Sequence, residues 1–398
     1  MKFSVRTSWN REQNRMTRLY HELREKGTTI HDLTVSNPTE CGITYPCPQI
    51  FSSLSDPQSL HYAPDPHGLL TARRAVTAYY QEHSAVIDED NVFITASTSE
   101  AYSFLFSLLC NPGETVLAPR PSYPLFEFLA QLAGVRLNYY PLRYDGGWYI
   151  DTEAFARAMT PSTKAIILVH PHNPAGMFIK NDEYKRILTI AERHGAVLIA
   201  DEVFIDFPLS SRKDFVGTTA GVSDVPTFTI SGISKTLGLP QLKLGWIVIS
   251  GEEKYSREAA GRLEILSDTY LSVNTPVQLA LPELMSCCIP VRRSIQDRIR
   301  SNYEYIHSLL SGSGQQMSYP CSALETEGGW YTILRIPRTQ TAEAWAIELL
   351  AKHNIYVYPG HFFDFEDEGF LVASLLTDEA TFRHSIKLLA DYIAESVG

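Results

Sequence analysis

The sequence predicts an α/β protein in which a mainly parallel sheet is covered by helices and joined to a smaller α+β domain. Strand patterns and helical patterns alternate from about residue 45 to residue 278, which is typical of a parallel sheet. The chain has 398 residues, more than a single core usually holds, so two domains are expected. Several apolar runs end in polar residues, as strands do where an open sheet binds a ligand.

Five apolar runs are the predicted strands of the large domain. Residues 196–200 are a continuous apolar run, typical of a buried parallel strand, and the other four predicted strands are 92–95, 164–169, 226–230 and 245–250. The helical period begins at the N-terminus, where Met16, Leu19, Tyr20 and Leu23 share one face and Gly27 ends the pattern. Two further helices are predicted near residues 294–310 and 381–393.

Lys235 is the first candidate for chemistry. It follows the strand 226–230 among small hydroxyl and glycine residues and precedes the strand 245–250, so we expect a loop held between buried strands. Desolvation there would lower the pKa of the ammonium group and free the amine to attack a carbonyl. A solvated loop lysine is the alternative, and this segment alone does not decide between them.

Two further strands end in candidate site residues. Asp201 ends the run 196–200, and Asn173 lies in the His-Asn-Pro-Ala-Gly turn after the run 164–169. The carboxyl ends of parallel strands are where such sheets bind ligands. A helix cap for Asp201 and a turn-forming role for Asn173 remain open.

An anion site is predicted where the strand 92–95 meets a helix. Ser97, Thr98 and Ser99 stand at the start of that helix, whose free amides and dipole favour a phosphate or carboxylate. Ordinary N-capping by these hydroxyl groups is equally compatible with the pattern.

In order and spacing these segments resemble the class I/II aminotransferases, which are fold-type I enzymes dependent on pyridoxal 5′-phosphate. The resemblance covers nearly the whole chain and lies in Asn173-Pro174-Ala175-Gly176, Asp201-Glu202-Val203-Phe204 and Ser234-Lys235 with Lys243 eight positions on. It implies a seven-stranded sheet between helices in a large domain at 45–280. Residues 1–44 and 281–398 would together form the small domain.

The resemblance also implies roles for individual residues. Lys235 would form the Schiff base and move a proton, and Asp201 would hold the cofactor's ring nitrogen protonated, as an electron sink requires. Asn173 would donate to the ring oxygen, and Tyr123 would stack on the ring. Tyr62 would reach the phosphate of a neighbouring subunit, which implies a homodimer. The remaining cofactor contacts would come from Ser97, Thr98, Ser99, Phe204, Ser231, Ser234 and Lys243.

Five positions depart from the family pattern, and one of them is Ser97, which stands where a glycine is usual. Phe204 stands where a tyrosine is usual and cannot donate to the ring oxygen, so we expect a raised pKa of the Schiff base. Lys243 replaces an arginine, and Gly232 stands where a serine is usual. Val372 takes the place of the arginine that binds the substrate carboxylate, and no arginine or lysine lies between Lys352 and Arg383. We therefore expect substrate contacts from Ser36, Asn173, Arg335 and His361.

The predicted activity is transfer of an amino group between an L-amino acid and a 2-oxo acid. Because the carboxylate arginine is missing, a carbon–sulfur β-lyase using the same Lys235 and Asp201 remains the alternative. A DNA-binding regulator with an aminotransferase-like body is disfavoured, since the chain begins at the small-domain helix. A nicotinamide dehydrogenase is disfavoured because no Gly-x-Gly-x-x-Gly follows a strand.

Composition excludes several other classes. A formal net charge of −11 does not favour binding to nucleic acid, which is itself negatively charged. No apolar run reaches the roughly 18 residues of a membrane span. The N-terminus lacks the apolar stretch of a signal peptide, so a cytoplasmic location is expected. The six cysteines show neither metal-site spacing nor the density of a disulfide framework, so no metal is expected.

Overall fold

The structure is a computed structural model that describes residues 3–209, 214–221, 223–311 and 319–397. Three sheets are present in the described part of the chain, the largest of eight strands. None of the helices in these ranges is both long and apolar enough to cross a lipid bilayer.

Strands are numbered along the chain. They are β1 (His31–Asp32), β2 (Val92–Thr95), β3 (Thr115–Arg120), β4 (Arg136–Tyr144), β5 (Trp148–Ile150), β6 (Thr163–Val169), β7 (Val197–Asp201), β8 (Thr227–Gly232), β9 (Gly245–Ser250), β10 (Ser322–Ala323), β11 (Tyr331–Arg335), β12 (Ile355–Tyr356), β13 (Tyr358–Pro359) and β14 (Phe370–Ser374).

Helices are numbered in the same way. They are α1 (Arg15–Glu25), α2 (Cys47–Leu54), α3 (Leu70–Glu82), α4 (Thr98–Leu109), α5 (Leu125–Ala133), α6 (Thr152–Ala158), α7 (Asn181–His194), α8 (Ile233–Thr236), α9 (Glu253–Tyr270), α10 (Thr275–Cys287), α11 (Ile289–Leu310), α12 (Ala342–His353) and α13 (Glu379–Val397).

The large sheet confirms the predicted α/β architecture. Its order is β2-β9-β8-β7-β6-β3-β4-β5, and β4, β3, β6, β7 and β8 run parallel to their neighbours within that group. Strand β9 is antiparallel to both β2 and β8. Seven strands match the predicted sheet, and the short β5 adds an eighth by a hairpin with β4.

The register of three central strands brings their ends together. Val169 of β6 pairs with Asp201 of β7, and Asp201 in turn pairs with Ile230 of β8. The segments that follow these strands therefore leave the sheet at the same edge. That edge is where the sequence predicts Asn173, Asp201 and Lys235 to meet.

Apolar side chains pack on both faces of this sheet. Ile167 and Ile199 belong to the cluster that contains α4, whereas Ile166 and Leu198 belong to the cluster on the other side. Because successive strand residues point to opposite faces, the continuous apolar runs predicted as buried strands supply both cores.

The N-terminal segment joins the C-terminal part of the chain. His31 and Asp32 of β1 pair in parallel with Ile355 and Tyr356 of β12, and α1 packs against α12. A four-stranded sheet of order β10-β11-β14-β13 lies in the same part of the chain. These contacts agree with a composite small domain, although its boundaries at residues 44 and 280 stay a prediction.

Gly176 closes the turn that carries Asn173. Its φ of +64° is in the left-handed region, and an added Cβ would lie 2.3 Å from Thr326 Cγ2 and 2.4 Å from the Gly328 carbonyl oxygen. The Gly176 carbonyl oxygen accepts hydrogen bonds from the amides of Glu327 and Gly328, at 3.0 and 2.8 Å. Glycine is therefore required here by both conformation and space.

We expect Gly176→Ala to destabilise the protein by roughly 2–4 kcal/mol, because left-handed strain adds to a backbone clash. Gly195→Ala is the matched control, since Gly195 has a φ of +61° but nothing within 4 Å of the added Cβ. That control should cost only about 1–2 kcal/mol. Equal losses in a denaturant titration of the two variants would contradict the packing at Gly176.

Candidate active site

Lys235 lies in the wall of a cavity of about 830 Å³ at the carboxyl edge of the large sheet. It was expected in a loop and instead lies in α8, a single helical turn that directly follows β8. Its Nζ atom is 4.6 Å from the centre of the Trp330 ring and 5.7 Å from that of Phe204.

The environment makes this amine unusually easy to deprotonate. Removal from bulk water lowers the pKa of Lys235 from 10.5 to about 8, while the negative charge of Asp201 acts in the opposite direction. Near neutral pH an appreciable fraction of the side chain is therefore the free amine, the form that can attack an aldehyde.

Asp201 lines the same cavity from the end of β7. Its Oδ2 accepts a hydrogen bond from the Tyr102 hydroxyl at 3.0 Å, and its Oδ1 accepts one from the Val203 amide at 3.2 Å. Burial raises the pKa of Asp201 to about 6, against the lowering effect of those two bonds and of Lys235. The carboxylate is thus fixed in position and can stabilise a cationic group placed in the cavity.

Asn173 lines the cavity from the turn after β6. Its Oδ1 atom is buried and has no hydrogen-bond partner among the described residues. A buried amide oxygen that accepts no hydrogen bond costs free energy unless a bound ligand donates one to it. The turn role left open above also holds, since Asn173 precedes Pro174 and the Gly176 turn.

The start of α4 forms the anionic-ligand end of the cavity. Ser97, Thr98 and Ser99 line it together with Ser234 and Lys243. The Ser97 hydroxyl accepts a hydrogen bond from the Glu100 amide at 3.1 Å, so the capping role is real. The helix dipole and the Lys243 ammonium group both favour an anion at this end.

The close pairing of β8 with β9 explains why position 232 is a glycine, where the family pattern has a serine. Gly232 pairs with Gly245, and a Cβ at position 232 would lie 2.9 Å from the Gly245 Cα atom and 2.9 Å from the Leu244 carbonyl oxygen. A side chain at Gly232 would push β9 away from β8. The departure is therefore explained by close backbone approach next to the lysine turn.

The structure brings most of the predicted site residues to one cavity. Its lining includes these predicted residues: Ser36, Ser97, Thr98, Ser99, Tyr123, Asn173, Asp201, Phe204, Ser234, Lys235 and Lys243. The roles assigned to them stay predictions.

Four predicted residues lie outside the cavity lining. Ser231 is fully buried in β8, with its hydroxyl 3.5 Å from the Glu202 carbonyl oxygen. Tyr62 is 75 % exposed, and His361 is also exposed. Arg335 ends β11, whereas Tyr331 at the start of that strand lines the cavity. A rise of about 3.3 Å per residue places Arg335 roughly 13 Å farther along the strand.

The wall that the sequence did not predict is aromatic. It is formed by Tyr331, Tyr356, Tyr358, Phe362 and Phe363, with Asn14 and Thr17 of the N-terminal segment. These residues come from distant parts of the chain and form no local motif. The aromatic run at 362–365 was the one signal in the sequence.

The cavity contains few charges. Among the described residues that line it, Lys235 and Lys243 are the cations and Asp201 is the anion. Val372 is buried in β14 and does not line the cavity. No arginine of the described lining can therefore bind a carboxylate by a two-pronged contact.

These residues fit pyridoxal 5′-phosphate. The amine of Lys235 suits an aldehyde, and Asp201 suits a protonated ring nitrogen. Asn173 lines the same cavity, and its side-chain Nδ2 group is the donor that a ring oxygen needs. The start of α4 and Lys243 suit the phosphate.

Comparison with known proteins agrees with this chemistry. Residues 28–387 match the family described as aminotransferase class I and II. Mouse tyrosine aminotransferase is 26% identical over 85% of this chain and 75% of its own length. The glutamate-pyruvate aminotransferase AlaA of Escherichia coli is 26% identical over 65% of this chain and 64% of its own length, just under two thirds.

Solved structures share the fold. Alanine aminotransferase of Pyrococcus furiosus superposes with a TM-score of 0.88 at 21% identity, covering 99% of this chain and 100% of that one. Aspartate aminotransferase of Thermotoga maritima superposes with a TM-score of 0.83 at 19% identity, covering 98% and 99%. None of these four proteins is described as a lyase.

We expect the amine of Lys235 in cofactor-free protein to react with acetic anhydride increasingly as the pH rises through about 8, because only the neutral amine is nucleophilic. Peptide mass spectrometry after trace labelling measures this, with the exposed Lys254 as internal reference. Asp201→Asn should move the midpoint for Lys235 to lower pH, since the Asp201 charge raises that pKa. Superimposable profiles for Lys235 and Lys254 would contradict the desolvated environment.

Proposed function

The chain belongs to the class I and II aminotransferase family, and we propose that it moves an amino group between an L-amino acid and a 2-oxo acid with pyridoxal 5′-phosphate held by Lys235. The observation that carries this proposal is the position of Lys235 and Asp201 in one cavity, with their pKa values moved towards each other by burial. The cofactor, when bound, supplies an electron sink for the bond broken at the substrate Cα.

Lys235 performs two tasks in this proposal. Its Nζ atom would hold the cofactor covalently in the resting enzyme, and as a free amine it would carry a proton to and from the substrate. A pKa near 8 suits both tasks, because an amine close to the ambient pH both accepts and returns a proton. The rings of Trp330 and Phe204 beside Nζ keep water away from it.

Asp201 would hold the protonated ring nitrogen of the cofactor. The Tyr102 hydroxyl and the Val203 amide fix both carboxylate oxygens, so Asp201 is oriented before any ligand arrives. With a pKa of about 6 it is mainly ionised at neutral pH, and a neighbouring cation would favour the ionised form further.

The cavity lining supports a substrate with an uncharged side chain. Lys235 is engaged by the cofactor and Lys243 lies at the anionic-ligand end, so no cation of the described lining remains for a second substrate carboxylate. The wall of Tyr331, Tyr356, Tyr358, Phe362 and Phe363 suits a large apolar or aromatic side chain. The hydroxyl of Ser36 and the amide of Asn173 are the proposed contacts of the α-carboxylate.

The active unit in this proposal is a homodimer. Leu60 and Tyr62 are 91 % and 75 % exposed, an apolar surface that favours a partner. Tyr62 would there approach the cofactor phosphate of the partner subunit. The cytoplasmic location expected from the sequence stays a prediction.

We expect Lys235→Ala to lose amino transfer by at least about a thousandfold, because the anchor and the proton carrier are the same atom. The measurement is formation of a new amino acid from a 2-oxo acid, screened with each common amino acid as donor. Lys254→Ala, an exposed lysine on α9, is the control and should retain activity. Release of pyruvate and ammonia without any added 2-oxo acid would contradict the transferase proposal and indicate a lyase.

We expect tyrosine, phenylalanine or leucine to exceed aspartate as donor by at least about tenfold in kcat/KM, because a second carboxylate would be buried without a cation. Steady-state kinetics with a fixed 2-oxo acid measure the ratio. An aspartate value equal to or above that of all three would contradict the proposed substrate class.

A further inference from the structure

A second cleft, of about 430 Å³, lies where the end of β3 and strand β4 face the end of β11 and the start of β14. It shares no lining residue with the cavity around Lys235. Four arginines line it: Arg120, Arg143, Arg335 and Arg338. We refer to it as the arginine cleft.

The arginine cleft is positive in a strongly negative protein. Its four arginines face two carboxylates, Glu366 and Asp367, so the lining has a formal charge of +2, while the whole chain has −11. Arg120 forms an ion pair with Glu366 at 2.8 Å. The other three arginines have no ion pair within the described residues. Four cations that line one cleft repel one another unless anions join them.

Two buried donors in the cleft also have no partner. Trp148 is 6 % exposed, and its Nε1 atom donates to nothing within the described residues. The Nε atom of Arg120 is likewise buried without an acceptor. A buried donor without an acceptor is costly, and a ligand with acceptor oxygens or ring nitrogens would supply the missing partner.

Aromatic side chains contact two of the four arginines and provide an apolar wall. The Arg120 guanidinium lies 4.0 Å from the centre of the Tyr139 ring, and that of Arg335 lies 5.4 Å from the centre of the Tyr144 ring. Tyr144, Trp148 and Phe365 lie in edge contact along one side. Stacked arginines lose less side-chain entropy on binding, and an aromatic wall accepts a flat ring.

We propose that the arginine cleft binds a small organic phosphate that carries a flat ring. A phosphate monoester has a charge close to −2 near neutral pH, which matches the lining, and its three oxygens suit the planar donors of arginine. The volume lies within the range of small-molecule sites. The ring would lie against Tyr144 and Phe365, within reach of the Trp148 donor.

The test uses the full-length protein loaded with pyridoxal 5′-phosphate and then freed of unbound cofactor by gel filtration, so that the main cavity is filled and the arginine cleft is not. Adenosine 5′-monophosphate is the probe in isothermal titration at low salt, with adenosine and inorganic phosphate as comparison ligands. The test variant is Arg143→Gln with Arg335→Gln, both at exposed positions. The matched control is Arg293→Gln, an exposed arginine on α11 outside the cleft.

We expect one molecule of the probe to bind per chain, more tightly than either comparison ligand. The double variant should bind it at least about tenfold more weakly, while Arg293→Gln stays within about twofold of the unmodified protein. Trp148→Phe should weaken the probe but not inorganic phosphate.

Three results would overturn the proposal. They are no binding of the probe at about 10 mM, adenosine binding as tightly as the probe, or equal affinities in the double variant and in Arg293→Gln. The catalytic proposal is independent of these results, because none of the altered arginines lines the main cavity.

Discussion

The site depends on one constraint, the burial of an amine and a carboxylate in the same cavity at the edge of a parallel sheet. Loss of water lowers the pKa of Lys235 to about 8 and raises that of Asp201 to about 6, and their mutual attraction offsets only part of this change. Such an arrangement is a poor means of stabilising a fold, since desolvation opposes the gain from attraction. It is a good means of tuning an amine for chemistry near neutral pH.

The pairing register of the large sheet brings Lys235 and Asp201 to the same cavity. Asp201 ends β7 beside Val169 of β6 and Ile230 of β8, so the turn with Asn173 and the helical turn with Lys235 leave the sheet on either side of it. Two close backbone contacts fix these turns. Gly232 lies against Gly245, and Gly176 lies against Thr326 and Gly328. The positions of the reactive groups thus follow from strand pairing, and small residues allow the approach.

The sequence predicted the elements that depend on short-range patterns of apolar residues, and it missed the contacts between distant segments. Five of the eight strands of the large sheet and helix α1 follow from their apolar patterns and end signals, and Lys235 and Asp201 lie at the ends of two of those strands. The aromatic wall was missed because Tyr331 and Tyr356 are distant in sequence and meet only through the pairing of β1 with β12 and of β11 with β14. Arg335 was expected to contact the substrate, but it lies at the far end of β11 and lines the arginine cleft instead.

The central claim is that one particular lysine holds the cofactor. Its most direct test is borohydride reduction of the protein saturated with pyridoxal 5′-phosphate, followed by peptide mapping. The account predicts one stable adduct, on the peptide that contains Lys235, and none in Lys235→Ala. An adduct on Lys243 or on another lysine, with the Lys235 peptide unmodified, would contradict it.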